Sequence, residues 1–311
     1  MSLMKHDCYT ASADSIQQLH YIVWEPQTAP VAVLQIVHGM EEYIDRYDPF
    51  ARYMNSLGWA VIGHDHLGHG LSGSHERGHF SDSKLGPHLL IDDMYGITEI
   101  ARKRWPDVPV CIMGHSMGSF FTRRYLCEHS DAVHAAVIMG SGWYPAFMTG
   151  TAYWAARLTC ALRGRHTKTK ALKILCSLPF YFSFRKEGKN AWLSVSKSNV
   201  KKYSSDPLCG FGFTAGGYEY MYRNLLEVSA HTLFNNMRRD LPVLFISGEF
   251  DKVGGANAVR KMEADYRKRG FCRIDAHIVP GKRHELMCED DAAQTMEFIG
   301  KWLCQQVCAG E

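Results

Sequence analysis

Residues 114–118 read Gly-His-Ser-Met-Gly, and this short stretch decides the fold. It follows the apolar run Val110–Met113 and precedes residues 119–126, whose pattern predicts a helix. A Gly-x-Ser-x-Gly sequence between a strand and a helix is typical of a sharp turn that displays its serine at the helix N-terminus. Two glycines let strand and helix pass closely, and free backbone N–H groups at the turn can receive negative charge. We therefore interpret Ser116 as a candidate nucleophile.

Apolar runs and helical spacings alternate on both sides of this stretch. Strands are predicted at 18–24, 31–37, 59–63, 110–113, 135–139, 241–247 and 274–279, and helices at 49–57, 89–104 and 292–307. Nearly continuous apolar runs are typical of buried parallel strands. Because strands and helices alternate, we predict an α/β fold with a mostly parallel sheet covered by helices on both faces.

The alternation stops once, after Gly140, and resumes at Leu241. The intervening segment is rich in aromatic and basic side chains. We predict that residues 1–140 and 241–311 form the two parts of one core, and that residues 141–240 form an inserted, largely helical cap.

The composition is that of a soluble globular protein. Of the 311 residues, 46% are hydrophobic and 22% are charged, and the ten cysteines show no C-x-x-C spacing. The first residues lack the apolar core of a signal peptide, and no run reaches the roughly 18 apolar residues of a membrane helix. We expect a cytoplasmic protein without a disulfide framework, and the oligomeric state stays open.

Charge is distributed unevenly along the chain. Residues 141–240 carry 15 Lys/Arg and 5 Asp/Glu, a balance of +10, while the remainder carries −7. One hypothesis is peripheral contact between this basic cap and an anionic membrane. The alternative is an ordinary solvated face, and we expect no nucleic-acid partner.

A serine hydroxyl needs a base, and the base needs an orienting acid. In a fold of this kind the chain order should be serine, acid, histidine. His284 follows the last predicted strand, and Asp251 follows the strand before it. Glu249 competes with Asp251 as the acid, although the loop tip at Asp251 should reach the histidine more easily.

Two backbone N–H groups should stabilise an oxyanion. One is expected from Met117, the residue after the candidate nucleophile, and the other from Met40 in the turn after the strand 31–37. Gly39 lets this turn close, and we expect His38 to shape the loop through hydrogen bonds.

Several histidines cluster between residues 64 and 79, and they raise the question of a metal site. Their spacings match no recognised ligand set, and we interpret them as solvated loop residues: His64, His66, His69, His75 and His79. We expect neither a metal nor a cofactor.

Three motifs together resemble the α/β-hydrolase superfamily, and within it the monoglyceride lipase/lysophospholipase-like branch with a serine-aminopeptidase-type hydrolase domain. Residues 38–47, HGMEEYIDRY, resemble that branch's His-Gly-x-Gly-Glu-His-x-x-Arg-Tyr. Residues 64–73, HDHLGHGLSG, resemble its Asp-x-Arg-Gly-His-Gly-x-Ser-x-Gly. The elbow matches Gly-His-Ser-Met-Gly-Gly except at Ser119. The departures elsewhere are Glu41, Tyr43 and Leu67.

The resemblance implies an α/β-hydrolase fold with a cap and a role for each site residue. Ser116 would be the nucleophile, Asp251 the orienting acid and His284 the base. Met40 and Met117 would supply the oxyanion hole, supported by the loop residues His38, Gly39, Gly114, His115 and Gly118. The expected substrate is a small-molecule or lipid ester with an apolar acyl group, above all a monoacylglycerol or a lysophospholipid.

Three other functions are compatible with these motifs. A general short-chain carboxylesterase would use the same residues. An aminopeptidase or amidase would need acidic groups in the cap to hold a substrate amine, and the cap has few. A ligand-binding scaffold without catalysis usually has a damaged triad, whereas all three candidate residues are present here.

Overall fold

The computed structural model describes residues 4–73, 76–83, 86, 88–230 and 233–308. Within these residues the chain forms a sheet of eight strands. The strands are β1 (Met4–Ala11), β2 (Gln18–Glu25), β3 (Ala32–Val37), β4 (Trp59–His64), β5 (Val110–His115), β6 (Ala135–Met139), β7 (Val243–Gly248) and β8 (Ile274–Val279). Their order is β1-β2-β4-β3-β5-β6-β7-β8, and all neighbours from β4 to β8 are parallel. The predicted mostly parallel α/β sheet is confirmed.

The helices of the described residues lie between and beyond these strands. They are α1 (Asp48–Ser56), α2 (His88–Arg104), α3 (Met117–His129), α4 (Ala146–Arg163), α5 (Lys170–Tyr181), α6 (Lys197–Ser205), α7 (Ala215–Ala230), α8 (Gly255–Lys268) and α9 (Ala292–Cys308). Every helix from α4 to α7 lies between β6 and β7, where the sequence predicts a helical cap. The division of the chain at residues 140 and 240 stays a prediction. No described helix combines the length and the apolar character needed to cross a membrane.

Alternating strand residues build one apolar core on each face of the sheet. In β3, Val33 and Val37 pack on the side of α2, α3 and α8, whereas Leu34 and Ile36 pack on the side of α1 and α9. The cap helix α7 contributes to the first of these cores. Both faces of the central strands are therefore buried, which explains their nearly continuous apolar sequences.

Two elements were not predicted from the sequence. Strand β1 pairs antiparallel with β2 at the sheet edge, and most of its side chains are exposed. An edge strand of this kind needs no apolar run, so its sequence resembles a loop. Helix α8 is rich in charged residues and buries only a narrow stripe that includes Val259, Met262 and Tyr266.

Candidate active site

The turn between β5 and α3 holds Ser116 in an unusual backbone conformation. Its φ is 52° and its ψ is −121°, a positive φ that residues other than glycine rarely adopt. The Ser116 N–H donates to the Met139 carbonyl at 2.9 Å, and its own carbonyl accepts from the Ser119 N–H at 2.9 Å. Strain held in place by such bonds is typical of functional sites. The serine hydroxyl therefore stands at the carboxyl end of the central strand.

Neighbouring glycines allow this turn to close. A Cβ on Gly118 would collide with the backbone carbonyl oxygens of Val37 and His38, and a Cβ on Gly114 would collide with Thr122 and the Gly118 carbonyl. Both collisions involve backbone, which cannot swing aside.

We predict that Gly118→Ala lowers the free energy of unfolding by about 2 kcal/mol or more, because the added methyl forces β3 and α3 apart. The matched control is Gly96→Ala on α2, where an added Cβ meets nothing within 4 Å. That change should stabilise the protein by about 0.5–1 kcal/mol through helix propensity. Denaturant unfolding measures both; equal effects of the two variants would contradict the prediction.

Three predicted residues come together beyond the carboxyl ends of the strands. The Ser116 hydroxyl lies 2.8 Å from Nε2 of His284, whose Nδ1 lies 3.0 Å from Oδ1 of Asp251. Both His284 and Asp251 are buried. A hydroxyl, an imidazole and a carboxylate in one hydrogen-bonded line form the arrangement that activates a serine.

The environment of Asp251 favours its charged form. Burial opposes ionisation, but the charge of His284 and hydrogen bonds from His284, Ser247 and Val253 together lower the pKa of Asp251. The Ser247 hydroxyl donates to Oδ2 and the Val253 N–H donates to Oδ1, each at 2.8 Å. The competing Glu249 is exposed, and its carboxylate accepts from the Gly281 N–H at 2.9 Å instead.

The loop after β3 lies against the serine. A Cβ on Gly39 would stand 3.1 Å from Cβ of Ser116. Buried His38 shapes the loop: its Nδ1 lies 2.8 Å from the Gly39 carbonyl, and its Nε2 accepts from the His66 N–H at 3.0 Å. Met40 follows directly, so its predicted position next to the serine is compatible with this geometry.

A buried ionic cluster beneath the site was not predicted. The Arg46 guanidinium bonds to Glu42 at 2.5 Å and to both carboxylate oxygens of Glu285 at 2.7 and 2.9 Å. Glu42 also accepts from the Gly39 N–H at 2.6 Å. Its Oε1 lies 3.1 Å from Nδ1 of His115. The signal was present, since Glu42 and Arg46 stand four residues apart in the quoted motif 38–47, but their partner Glu285 is distant in sequence.

The cap anchors the loop that carries His284. The Glu285 N–H donates to the Leu193 carbonyl at 2.7 Å. On the other side, Arg283 donates to the Ala191 carbonyl at 2.7 Å and packs against the ring of Phe184, 3.7 Å from its centroid. Both neighbours of His284 are thus attached to residues between β6 and β7.

The interpretation of the clustered histidines as solvated loop residues was wrong for the four that the structure describes. The fifth, His75, lies outside the described residues. His64, His66, His69 and His79 are all buried. Burial lowers the pKa of His64 and of His69 to about 3, so both are neutral. Neutral imidazoles pack like other aromatic rings, which explains how a loop so rich in histidine enters the core.

One group of potential metal ligands lies apart from the serine: Glu76, His79 and His166. The two imidazole rings stack with centroids 4.1 Å apart and an angle of 22°. Both ring nitrogens of His166 face carboxylates: Nδ1 lies 2.6 Å from Glu76, and Nε2 lies 2.8 Å from Asp82. Ion pairs between His166 and these carboxylates therefore hold the group together.

Comparison with known proteins places this chain in a family. Residues 28–291 match the family model described as serine aminopeptidase, S33. The chain is 32% identical to a monoacylglycerol lipase of Mycolicibacterium smegmatis over 91% of each chain. It is 28% identical to the monoglyceride lipase of Mus musculus, over 76% of this chain and 71% of that one. A carboxyl esterase from Bacillus coagulans has the same fold, with a TM-score of 0.88, 19% identity and coverage of 98% and 100%.

The chain therefore belongs to the serine aminopeptidase S33 family of α/β-hydrolases. Within that family it is similar to the monoglyceride lipases, and it is a serine ester hydrolase.

Proposed function

We propose that the protein hydrolyses monoacylglycerols or lysophospholipids, with Ser116 as nucleophile, His284 as general base and Asp251 as orienting acid. The observation that carries the proposal is the line of hydrogen bonds from the Ser116 hydroxyl through His284 to Asp251, at 2.8 and 3.0 Å. The strained turn at Ser116 holds this residue between β5 and α3, at the carboxyl ends of the parallel strands, where ligands bind in sheets of this kind.

The reaction proceeds in two halves. Ser116 Oγ attacks the ester carbonyl carbon while its proton moves to Nε2 of His284. The tetrahedral intermediate collapses, the bond to the alcohol breaks, and His284 returns the proton to the departing oxygen. Water then attacks the acyl-serine carbonyl carbon and loses a proton to His284. The second tetrahedral intermediate collapses, the bond to Ser116 Oγ breaks, His284 returns the proton to Oγ, and the fatty acid leaves. Asp251 keeps a proton on Nδ1 of His284 and stabilises the imidazolium that forms.

The backbone N–H groups of Met40 and Met117 are the proposed oxyanion donors. Met117 is the first residue of α3, where the helix dipole also favours negative charge. Met40 belongs to the loop that Gly39 brings against Ser116. In comparable sites each such donor lowers the barrier by about 3 kcal/mol.

Aromatic side chains beside the histidine support an apolar acyl group. The ring of Trp192 lies 5.2 Å from that of His284, and Phe180 stacks on Trp192 at 4.5 Å. Tyr144 stacks on Phe120 of α3 at 6.0 Å, next to the turn. A surface of this kind favours a hydrocarbon chain over a polar substituent.

The head group is tested by comparing 1-monoacylglycerol with lysophosphatidylcholine of the same acyl chain. The named activities of the Mus musculus and Mycolicibacterium smegmatis relatives favour the monoacylglycerol. We expect a higher kcat/KM for the monoacylglycerol than for either lysophosphatidylcholine or a short-chain ester. Preferred cleavage of short-chain esters would instead make the protein a general carboxylesterase.

The same proposal includes docking of the cap on a lipid surface. Large apolar side chains are exposed along one face of α4 and on the adjacent α5: Phe147, Trp154, Leu158, Leu162, Ile174 and Leu175. Exposed Arg163 ends α4 and exposed Lys170 begins α5, and the net charge of +10 between residues 141 and 240 favours anionic lipid. Arg165 contributes less, because it pairs with Glu219 and Asp82.

We predict that the double variant Trp154→Ser, Leu158→Ser loses at least tenfold in affinity for vesicles, since each side chain gives up its apolar burial in the lipid. Co-sedimentation with phosphatidylcholine vesicles, with and without phosphatidylserine, measures this loss. Ile16→Ser, which removes a side chain outside the cap that is more exposed than Trp154 or Leu158, is the control. Unchanged binding of the double variant would contradict docking through α4, and equal wild-type binding to both vesicles would remove the electrostatic part.

A further inference from the structure

His115 stands immediately before Ser116, and both of its ring nitrogens face hydrogen-bond acceptors. Nδ1 lies 3.1 Å from Oε1 of Glu42, and Nε2 lies 3.2 Å from the backbone carbonyl oxygen of His284. A neutral imidazole donates from only one nitrogen, whereas an imidazolium donates from both. With His115 neutral, a nitrogen lone pair would point at a carboxylate or at a carbonyl oxygen, inside a fully buried site.

The other partners of Glu42 require that its carboxylate be ionised. The Gly39 N–H, the Tyr47 hydroxyl at 3.0 Å and the Arg46 guanidinium are all donors to it. Burial opposes ionisation, but the charge of Arg46 and the bond with His115 hold the pKa of Glu42 well below its usual range. Glu42 therefore presents a negative charge to His115.

The balance of charges within the buried cluster also indicates that His115 is protonated. The cluster contains two carboxylates, Glu42 and Glu285, and one guanidinium, Arg46, all of them largely shielded from water. Arg46 can neutralise only one of the two carboxylates. A second cation restores neutrality, and His115 is the titratable group that touches Glu42 from the remaining side. An unbalanced charge at such depth would be costly.

We propose that His115 is a buried imidazolium and a positioning residue that joins the oxyanion loop to the loop of His284. One N–H holds Glu42, which holds Gly39; the other holds the carbonyl of His284 itself. This inference rests on the proposed function, because its importance depends on His284 acting as the base for Ser116.

The charged groups that face His115 determine how it responds to pH. They are Glu42, Glu285 and Arg46 in the cluster, with the rings of His284 at 4.8 Å and Tyr47 at 6.4 Å. Burial disfavours the imidazolium, but the bond and charge of Glu42 raise the pKa of His115 above its ordinary value. A raised folded pKa contributes stability that is complete below the unfolded pKa, near 6.5, and is lost as the pH rises through the folded pKa. Activity should decline over that same interval.

The direct test is NMR of the full chain labelled with 15N-histidine. We expect His115, one of the sixteen histidines, to show protons on both ring nitrogens at pH 7 and to lose one as the pH is raised. In His20 and His166 each of the two ring nitrogens faces a carboxylate, and these residues should show the same pair of protons, so the His115 signal is identified by substitution. His115→Gln should abolish the pair of ring N–H signals that belongs to His115. Should that variant not fold, nuclear Overhauser contacts to Tyr47 assign the pair in the wild-type protein. A single ring N–H on His115 from pH 6 upward would overturn the proposal.

Kinetics separate positioning from a merely structural role. We expect His115→Gln to lower kcat at least tenfold with KM changed less than twofold, and to remove the alkaline decline of kcat. Glu42→Gln, which keeps shape but removes charge, should shift that decline to lower pH. A folded His115→Gln variant with the wild-type pH profile would contradict positioning. Fluorophosphonate labelling of Ser116 in the wild-type protein is a separate readout. Absence of labelling would contradict the proposed function and not the role of His115.

Discussion

Replacing Ser116 with alanine is expected to lower kcat by about 10⁴-fold or more, while the protein remains folded. The substitution removes only the hydroxyl group, whose oxygen lies 2.8 Å from Nε2 of His284. Alanine also relieves no backbone strain, because it adopts a positive φ no more readily than serine. The measurement is single-turnover and steady-state hydrolysis of a monoacylglycerol, with circular dichroism to check the fold.

Ser119→Ala is the matched control for this experiment. Its buried hydroxyl lies one turn further along α3 and donates to the Ser116 carbonyl at 2.5 Å, so it has no bond to His284. We expect this variant to retain most of its activity. Turnover by Ser116→Ala near the wild-type rate would rule out the acyl-serine mechanism.

Asp251→Asn is expected to lower kcat by about 10⁴-fold through a change of tautomer. Oδ2 of Asp251 accepts from Ser247 while Oδ1 faces Nδ1 of His284. An asparagine that keeps the Ser247 bond gives up the bond from the Val253 N–H and turns its amide NH₂ toward Nδ1, which must then accept. Nε2 consequently carries the ring proton and can no longer take one from Ser116. The loss should appear in kcat with KM little changed.

Glu249→Gln controls for a general loss of negative charge on the same loop. Glu249 stands two residues before Asp251, is exposed, and accepts a hydrogen bond from the Gly281 N–H. We expect a kcat within about twofold of wild type, as for most surface substitutions. Equal losses in the two variants would mean that the loop acts through its charge and that Asp251 has no distinct role.

The parts of the fold that were predicted depend on local sequence. Strands β3 and β5 are buried on both faces and therefore read as continuous apolar runs. The turn at Ser116 needs small residues at fixed positions, which a short motif records directly. Strand β1 was missed because it lies at an edge, where its side chains face solvent.

The parts of the site that were missed depend on contacts between distant residues. Glu42 and Arg46 appear in a motif, but their meeting with Glu285 is a property of the folded chain. Spacing alone left Asp251 and Glu249 as alternatives, because only the loop's path decides which one faces His284. The histidines at 64, 66 and 69 were predicted to be solvated because their side chains are polar. They are buried because their rings pack against one another, and this packing exists only in the folded chain.

The acyl group itself gives the most direct test of the proposed mechanism. Wild-type protein is mixed with 1-monoacylglycerol, quenched in acid within the first turnover, digested and examined by mass spectrometry. We predict a fatty-acyl ester on the peptide that contains Ser116, and its absence in Ser116→Ala. Turnover of the monoacylglycerol with the acyl group on another residue, or with no acyl-enzyme and full activity in Ser116→Ala, would contradict the account.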